Sequence, residues 1–178
     1  MTDEIFEEME YRATMRIAET VNVLNFDIYK GYQYYILNLG THPCSYIVLD
    51  ETDKLYGKDI DELDETGIYC HGGWSYAKKT LSSKTYSYVN EYEKKWVIGW
   101  DYAHHKDWAS YMSEETNLML GNKKWTTSEM RTEIREIIDQ IVEYNSNNDA
   151  MEIIEENNKI IAKVQGELKN LKDTEDEE

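Results

Sequence analysis

Two stretches of the chain carry the residue types from which a reactive site is made. One is His71-Gly72-Gly73-Trp74, the other is Trp100-Asp101 followed by His104, His105 and Asp107. If the strands that contain them pair, His71, Asp101, His104 and Asp107 converge at one sheet end. Imidazole plus carboxylate is the donor set of a zinc or manganese site. The spacing Asp-x-x-His-x-x-Asp is not a complete zinc signature of the HExxH or paired CxxC kind, and no catalytic base stands out beside it. The same residues also admit a structural role, in which the glycines turn the backbone, Asp101 caps the loop after its strand, and His71 or His104 satisfies buried backbone groups. An unspecified binding pocket is the third possibility. Cys70 and His71 are adjacent, and neighbours on a strand point to opposite faces, so a Cys-His nucleophilic pair is disfavoured. Gly72-Gly73 lacks the longer pattern of a phosphate-cradling loop.

The remaining chemistry is that of a surface. The 178 residues hold 36 Asp plus Glu against 19 Lys plus Arg, a net charge of -17. Only five of those carboxylates lie in the last six residues, so the acidity belongs to the body of the chain. Such a field repels phosphate backbones and speaks against direct nucleic-acid binding. It attracts basic partners, although acidity also serves solubility alone. Fifteen Tyr and five Trp supply the rings that dominate interfaces. Candidate partner-binding residues are therefore Asp59, Asp61, Glu62 and Asp64, the aromatics Trp74 and Tyr76, and Glu152, Glu155 and Glu156.

Positioning these residues requires a fold of mixed type. Ile5, Met9, Ala13 and Ile17 give residues 3–20 the spacing of an amphipathic helix. Residues 32–39 and 45–49, aromatic and β-branched, read as two paired strands. The charged stretch 50–65 reads as an exposed loop with a short helical turn. Residues 68–76 and 95–102 read as central neighbouring strands, with glycines that suggest bulges. Met130, Ile134, Ile137, Ile138 and Ile141 mark a helix over 127–144. Asn145–Asn148 is expected to break it, and 151–171 resumes as a second helix, docked or dimerising. The expectation is an α+β fold: a small, mostly antiparallel sheet flanked by an N-terminal helix and two C-terminal helices. The divisions are a core domain over 1–145, an acidic helix over 146–172, and a disordered tail over 173–178. Two cysteines without CxxC spacing point to free thiols in a reducing compartment. An acidic N-terminus and the lack of a long apolar run argue for the cytoplasm.

The motif set resembles a family of small, mostly uncharacterised proteins from phages and prophages of Gram-positive bacteria. Leu55-Tyr56-Gly57-Lys58-Asp59-Ile60-Asp61 precedes the His71-Gly72-Gly73-Trp74-Ser75-Tyr76 strand. Trp96, Gly99, Trp100, Asp101, His104 and Asp107 then match a Trp-x-x-Gly-aromatic-Asp-x-x-His-x-x-Asp stretch. The resemblance runs from about residue 32 to 142; His105-Lys106 departs from the small residues expected there. It implies a phage or mobile-element origin rather than a reaction. Taken with the charge, it leads to the expectation of an anti-CRISPR protein in the host cytoplasm, needing no cofactor. Its partner would be a Cas9-type nuclease with guide RNA, whose basic channels the carboxylates would occupy. The alternative is a metal-dependent hydrolase or nucleotide-processing protein using His71, Asp101, His104 and Asp107 with Zn or Mn. A pocket sequestering a small nucleotide ranks third, and requires a locally basic pocket.

Overall fold

The computed structural model describes residues 22–82 and 87–175, excepting the side chains of 166–175. The helix expected over residues 3–20 lies outside the described residues. By their contacts the residues fall into two units that divide between Ile141 and Val142.

The first unit is built on a five-stranded antiparallel sheet, as an α+β chain requires. Its strands are β1 (Asn22–Tyr29), β2 (Tyr32–Asn38), β3 (Pro43–Asp50), β4 (Tyr76–Lys78) and β7 (Lys95–Asp101), in the order β1-β2-β3-β7-β4. β5 (Leu81–Ser82) and β6 (Ser87–Val89) form a separate two-stranded ribbon. Lys30 and Gly31 both take positive φ, +48° and +88°, which suits the tight turn of the β1-β2 hairpin. Strands β2, β3 and β7 are apolar on both faces because both are covered. Tyr35, Leu37, Cys44, Tyr46, Val48 and Val97 form one core with Leu81 and Val89 of the ribbon. On the other face Tyr34, Ile36, Ile47, Ile98 and Trp100 are buried.

Two short helices follow from local capping. Helix α1 (Ile60–Asp64) starts with a capping box, in which Asp59 accepts from the Glu62 N–H and Glu62 accepts from the Asp59 N–H. Helix α2 (Glu114–Leu120) is capped by Ser113 and ends at Gly121 in the left-handed region. Helix α3 spans Thr127–Glu175. Its stripe Met130, Ile134, Ile137, Ile138 and Ile141 is buried. Arg135 to Asp27 and Lys30 to Asp139 tie this stretch to the first hairpin. Among the described residues no helix is long and apolar enough to cross a membrane.

Three expectations need correction. Residues 68–75 are not a strand: Gly72 and Gly73 take φ of +71° and +93°, and Gly73 N–H donates to Cys70 O, so this stretch is a turn and only Tyr76–Lys78 pairs, at the edge beside β7. An additional strand, β1, occupies Asn22–Tyr29. Finally, α3 runs through Asn145–Asn148 unbroken, because Ser146 Oγ and Asn148 Nδ2 donate to the carbonyls of Val142 and Tyr144 four residues back, within the helix. It continues to Glu175, past residue 172, and Asp176–Glu178 lie outside the described residues.

At the centre of the sheet Gly99 is forced by its neighbours. A Cβ there would lie 2.5 Å from Tyr46 Cδ1 and 2.6 Å from the Ser45 carbonyl oxygen. The absent side chain lets the Tyr46 and Tyr76 rings meet edge to face at 5.2 Å across β7. Gly99→Ala is expected to destabilise the fold by about 1–3 kcal/mol, seen as a lower urea midpoint at unchanged m-value. An unchanged midpoint would show that the sheet relaxes at no cost.

Candidate metal centre

The turn over residues 70–75 presents His71 from a fixed backbone. Its N–H donates to Glu133 Oε1 of α3 at 2.8 Å. Trp74 is buried behind the turn, edge to face with Trp100 at 5.7 Å, and its Nε1–H donates to Ile68 O. The loop after β7 supplies the opposing groups. Asp101 Oδ1 accepts the Ala103 N–H, and Asp107 N–H donates to His104 O, with Lys106 in the left-handed region at φ +74°. The loop thereby folds back on itself. Trp108 N–H donates to Lys123 O and Lys123 N–H to Lys106 O, which brings Trp125 alongside.

Asp107 is the meeting point. The residue is 5% exposed. Oδ2 accepts from His71 Nε2 at 2.7 Å and from the His104 N–H at 2.8 Å, and Oδ1 accepts from Trp125 Nε1–H at 2.8 Å. Burial pushes its pKa upward, but the hydrogen bonds from His71, Trp125 and His104 outweigh that, and the group is held below the usual aspartate value. With Asp107 ionised, Nε2 of His71 is the donor in this pair. The His71 ring stacks on Tyr102 at 5.4 Å and touches Trp125 at 4.8 Å. Tyr102 in turn donates its hydroxyl proton to Glu133 Oε2 at 2.7 Å, so Glu133 holds both the His71 backbone and the ring beneath it. Burial, above all, raises the Tyr102 pKa and keeps its hydroxyl protonated as the donor.

His104 closes the cluster. Its ring lies over Gly72 so closely that a Cβ on Gly72 would fall 2.0 Å from it. The Gly72 position is thus required twice, by its φ and by this contact. His104 Nδ1 is buried without a hydrogen-bond partner, 3.7 Å from both Asp101 Oδ1 and Asp107 Oδ2. One donor atom each from His71, His104 and Asp107 lies within 4.8 Å of the others. Two donors bound to one zinc stand about 3.0–3.5 Å apart, given bonds of about 2.1 Å. A cation held by these three residues would give His104 Nδ1 the partner it lacks, and would take an unprotonated nitrogen of His71 and a carboxylate oxygen of Asp107. Asp101, the fourth residue expected, is not part of this group and serves the loop as a cap.

Beside the cluster lie two cavities, of about 300 Å³ and about 230 Å³, that share Thr41, His42, Trp108 and Ser110. His104, Asp107 and Lys106 line the first; Lys123, Lys124 and Trp125 line the second. Among the described residues Asp107 is the only carboxylate in either wall, in a chain with nearly twice as many acids as bases. Lys123 lies over the Trp125 ring at 3.3 Å and also pairs with Glu129 at 3.3 Å; Lys124 lies over Trp108 at 4.9 Å.

The residues expected to bind a partner are dispersed. Asp59 and Glu62 are exposed yet engaged in the α1 cap, while Asp61 and Asp64 are exposed on the same helix. The indole of Trp74, expected to anchor a partner, is instead core. Tyr76 is half-buried and donates its hydroxyl proton to Thr80 O. Glu152, Glu155 and Glu156 are exposed on α3 in the second unit. Sequence reading missed Tyr102 and Glu133. Only Glu133 left a signal, as an acid set among the apolar positions 130, 134 and 137. No protein-family model, curated protein or solved structure matches the chain.

Replacing Asp107 with Asn is expected to cost about 1–3 kcal/mol at pH 6 in chelator-treated protein, since an amide nitrogen then faces buried donors. A depressed pKa contributes stability above the unfolded value of about 3.8 and loses it as pH falls through the folded value. Urea midpoints should therefore differ most at pH 6 and converge towards pH 2. A constant gap would mean that Asp107 is not held ionised by its neighbours.

Proposed function

We propose that this chain is a metal-dependent hydrolase or nucleotide-processing protein that holds zinc or manganese at His71, His104 and Asp107. The observation that carries this reading is the buried, unpartnered Nδ1 of His104 beside an imidazole and an ionised carboxylate. An orphaned buried nitrogen costs about 1–3 kcal/mol, which a bound cation removes. When bound, the metal supplies Lewis acidity and lowers the pKa of water. The protein's own contribution is orientation. Asp107 is held by Trp125 and the His104 N–H, and His71 by Glu133 and the Tyr102 ring. The cavity lined by His104 and Asp107 admits a small substrate, and the nearby Lys106, Lys123 and Lys124 favour one that carries phosphate.

Protein purified without a histidine tag is expected to carry about one equivalent of Zn or Mn by elemental analysis. His104→Ala should reduce this to background while leaving the urea midpoint of metal-free protein unchanged or higher, because it removes the orphan. Metal-loaded protein should hydrolyse a member of a nucleotide and phosphodiester panel, and His104→Ala should not. Metal-free protein that binds neither ion on titration would defeat the proposal.

A second reading, an anti-defence inhibitor of phage origin acting in the host cytoplasm on a Cas9-type nuclease, is favoured by the exposed carboxylates of α1. The capping box stiffens the helix that presents them. Such an interface depends on electrostatics and weakens with salt. Asp61→Lys with Asp64→Lys leaves the cap intact. It should relieve inhibition of target cleavage at least tenfold, whereas an excess of unaltered protein without effect on cognate nucleases would end this reading.

A further inference from the structure

The cavity of about 230 Å³ has a wall whose chemistry the metal centre does not use. Lys123 and Lys124 line it together with Ser110, Thr127 and the rings of Trp108 and Trp125. Among the described residues that wall contains no carboxylate, which runs against the balance of a chain of net charge -17. The two lysines are neighbours in sequence, yet each ammonium lies over a different indole. Lys123 Nζ is 3.3 Å from the centre of the Trp125 ring, and Lys124 Nζ is 4.9 Å from that of Trp108. Both rings belong to the same wall, so the two charges flank one space. The backbone beneath them is fixed, since Lys123 N–H donates to Lys106 O and Lys123 O accepts the Trp108 N–H. A lysine seated on a ring has already lost part of the rotamer freedom that binding would otherwise cost.

These charges keep donors to offer. Glu129 Oε1 approaches Lys123 Nζ at 3.3 Å, but an ammonium has three N–H donors and this contact takes one. The other oxygen of Glu129 already accepts from the Thr126 N–H and hydroxyl. Lys124 forms no salt bridge among the described residues. Lys106, by contrast, donates to Leu120 O and lines the other cavity. Two ammoniums match a phosphomonoester, which carries a charge of about -1.5 to -2 at pH 7, better than a diester with its single negative charge.

We infer that this cavity is a phosphomonoester subsite, in which Lys123 and Lys124 hold the terminal phosphate of a small molecule. Thr41, His42, Trp108 and Ser110 belong to both cavities, so a molecule anchored here has a continuous wall along which to reach His104 and Asp107. The inference rests on the proposed function for the chemistry done at that far end, whereas the subsite itself requires no metal.

Calorimetric titration of the chelator-treated full chain tests this, with adenosine monophosphate, inorganic phosphate, adenosine and cyclic adenosine monophosphate as probes. The monophosphate should bind with a Kd of about 1 mM or tighter, and inorganic phosphate should compete with it. Adenosine and the cyclic diester should bind at least about tenfold more weakly. Lys123→Ala with Lys124→Ala should weaken the monophosphate at least about tenfold. Lys78→Ala with Lys79→Ala removes the same charge from exposed lysines outside both cavities and should not. All four lysines are exposed, and unchanged urea midpoints verify that both variants fold. The inference is overturned if neither the monophosphate nor phosphate binds, if adenosine binds equally well, or if the two lysine pairs lose affinity alike. Failure of the metal reading is separate, and shows as protein that binds the monophosphate but takes up neither Zn nor Mn.

Discussion

The ionised carboxylate of Asp107 is the constraint on which the His71–His104 cluster of the first unit depends. It is buried, and a buried charge persists only where donors surround it. Its donors come from three separate segments: the 70–75 turn through His71, its own loop through the His104 N–H, and the strand-like stretch after Gly121 through Trp125. None of these segments has regular structure of its own at the point of contact. Removing the charge would leave three donors without an acceptor and three segments without a common anchor.

The sheet and the start of α3 provide the frame for that anchor. β7 delivers Tyr102 and the following loop to one end of the sheet, and its central position makes that end rigid. Glu133 then couples helix to site, gripping the Tyr102 hydroxyl with one oxygen and the His71 backbone with the other. Because Tyr102 also contacts Ser45 and Trp100, the position of the His71 ring is set by two strands and a helix together. His104 Nδ1, by contrast, is buried without a hydrogen-bond partner.

The sheet was legible because β2, β3 and β7 are rich in β-branched and aromatic residues over runs of strand length, and the helix over 127–141 because five apolar residues recur at its period. The convergence of His71, His104 and Asp107 was legible from residue type. The path that achieves it was not. Reading 68–76 as a strand treated Gly72 and Gly73 as bulges, whereas positive φ at both makes a turn and a seat for the His104 ring. Trp74 was assigned to the surface because ring type says nothing about which side of a turn it will face. Asn145–Asn148 looked like a break because polar residues compete for backbone groups, and here Ser146 and Asn148 do so from within the helix.

Net charge is a property of the far field, and the cavities beside Asp107 show why it restricts partners unequally. A nucleic-acid strand must lay many phosphates along the surface, and a body of charge -17 opposes each of them. A small anion that has entered a cavity meets mainly the groups in its wall, because salt screens charges beyond about 10 Å. Among the described residues those walls hold Lys106, Lys123 and Lys124, and one carboxylate, Asp107, that already accepts three hydrogen bonds. The acidic exterior and the lysine-bearing cavity walls therefore set local fields of opposite sign, and the two properties belong to the same sequence without conflict.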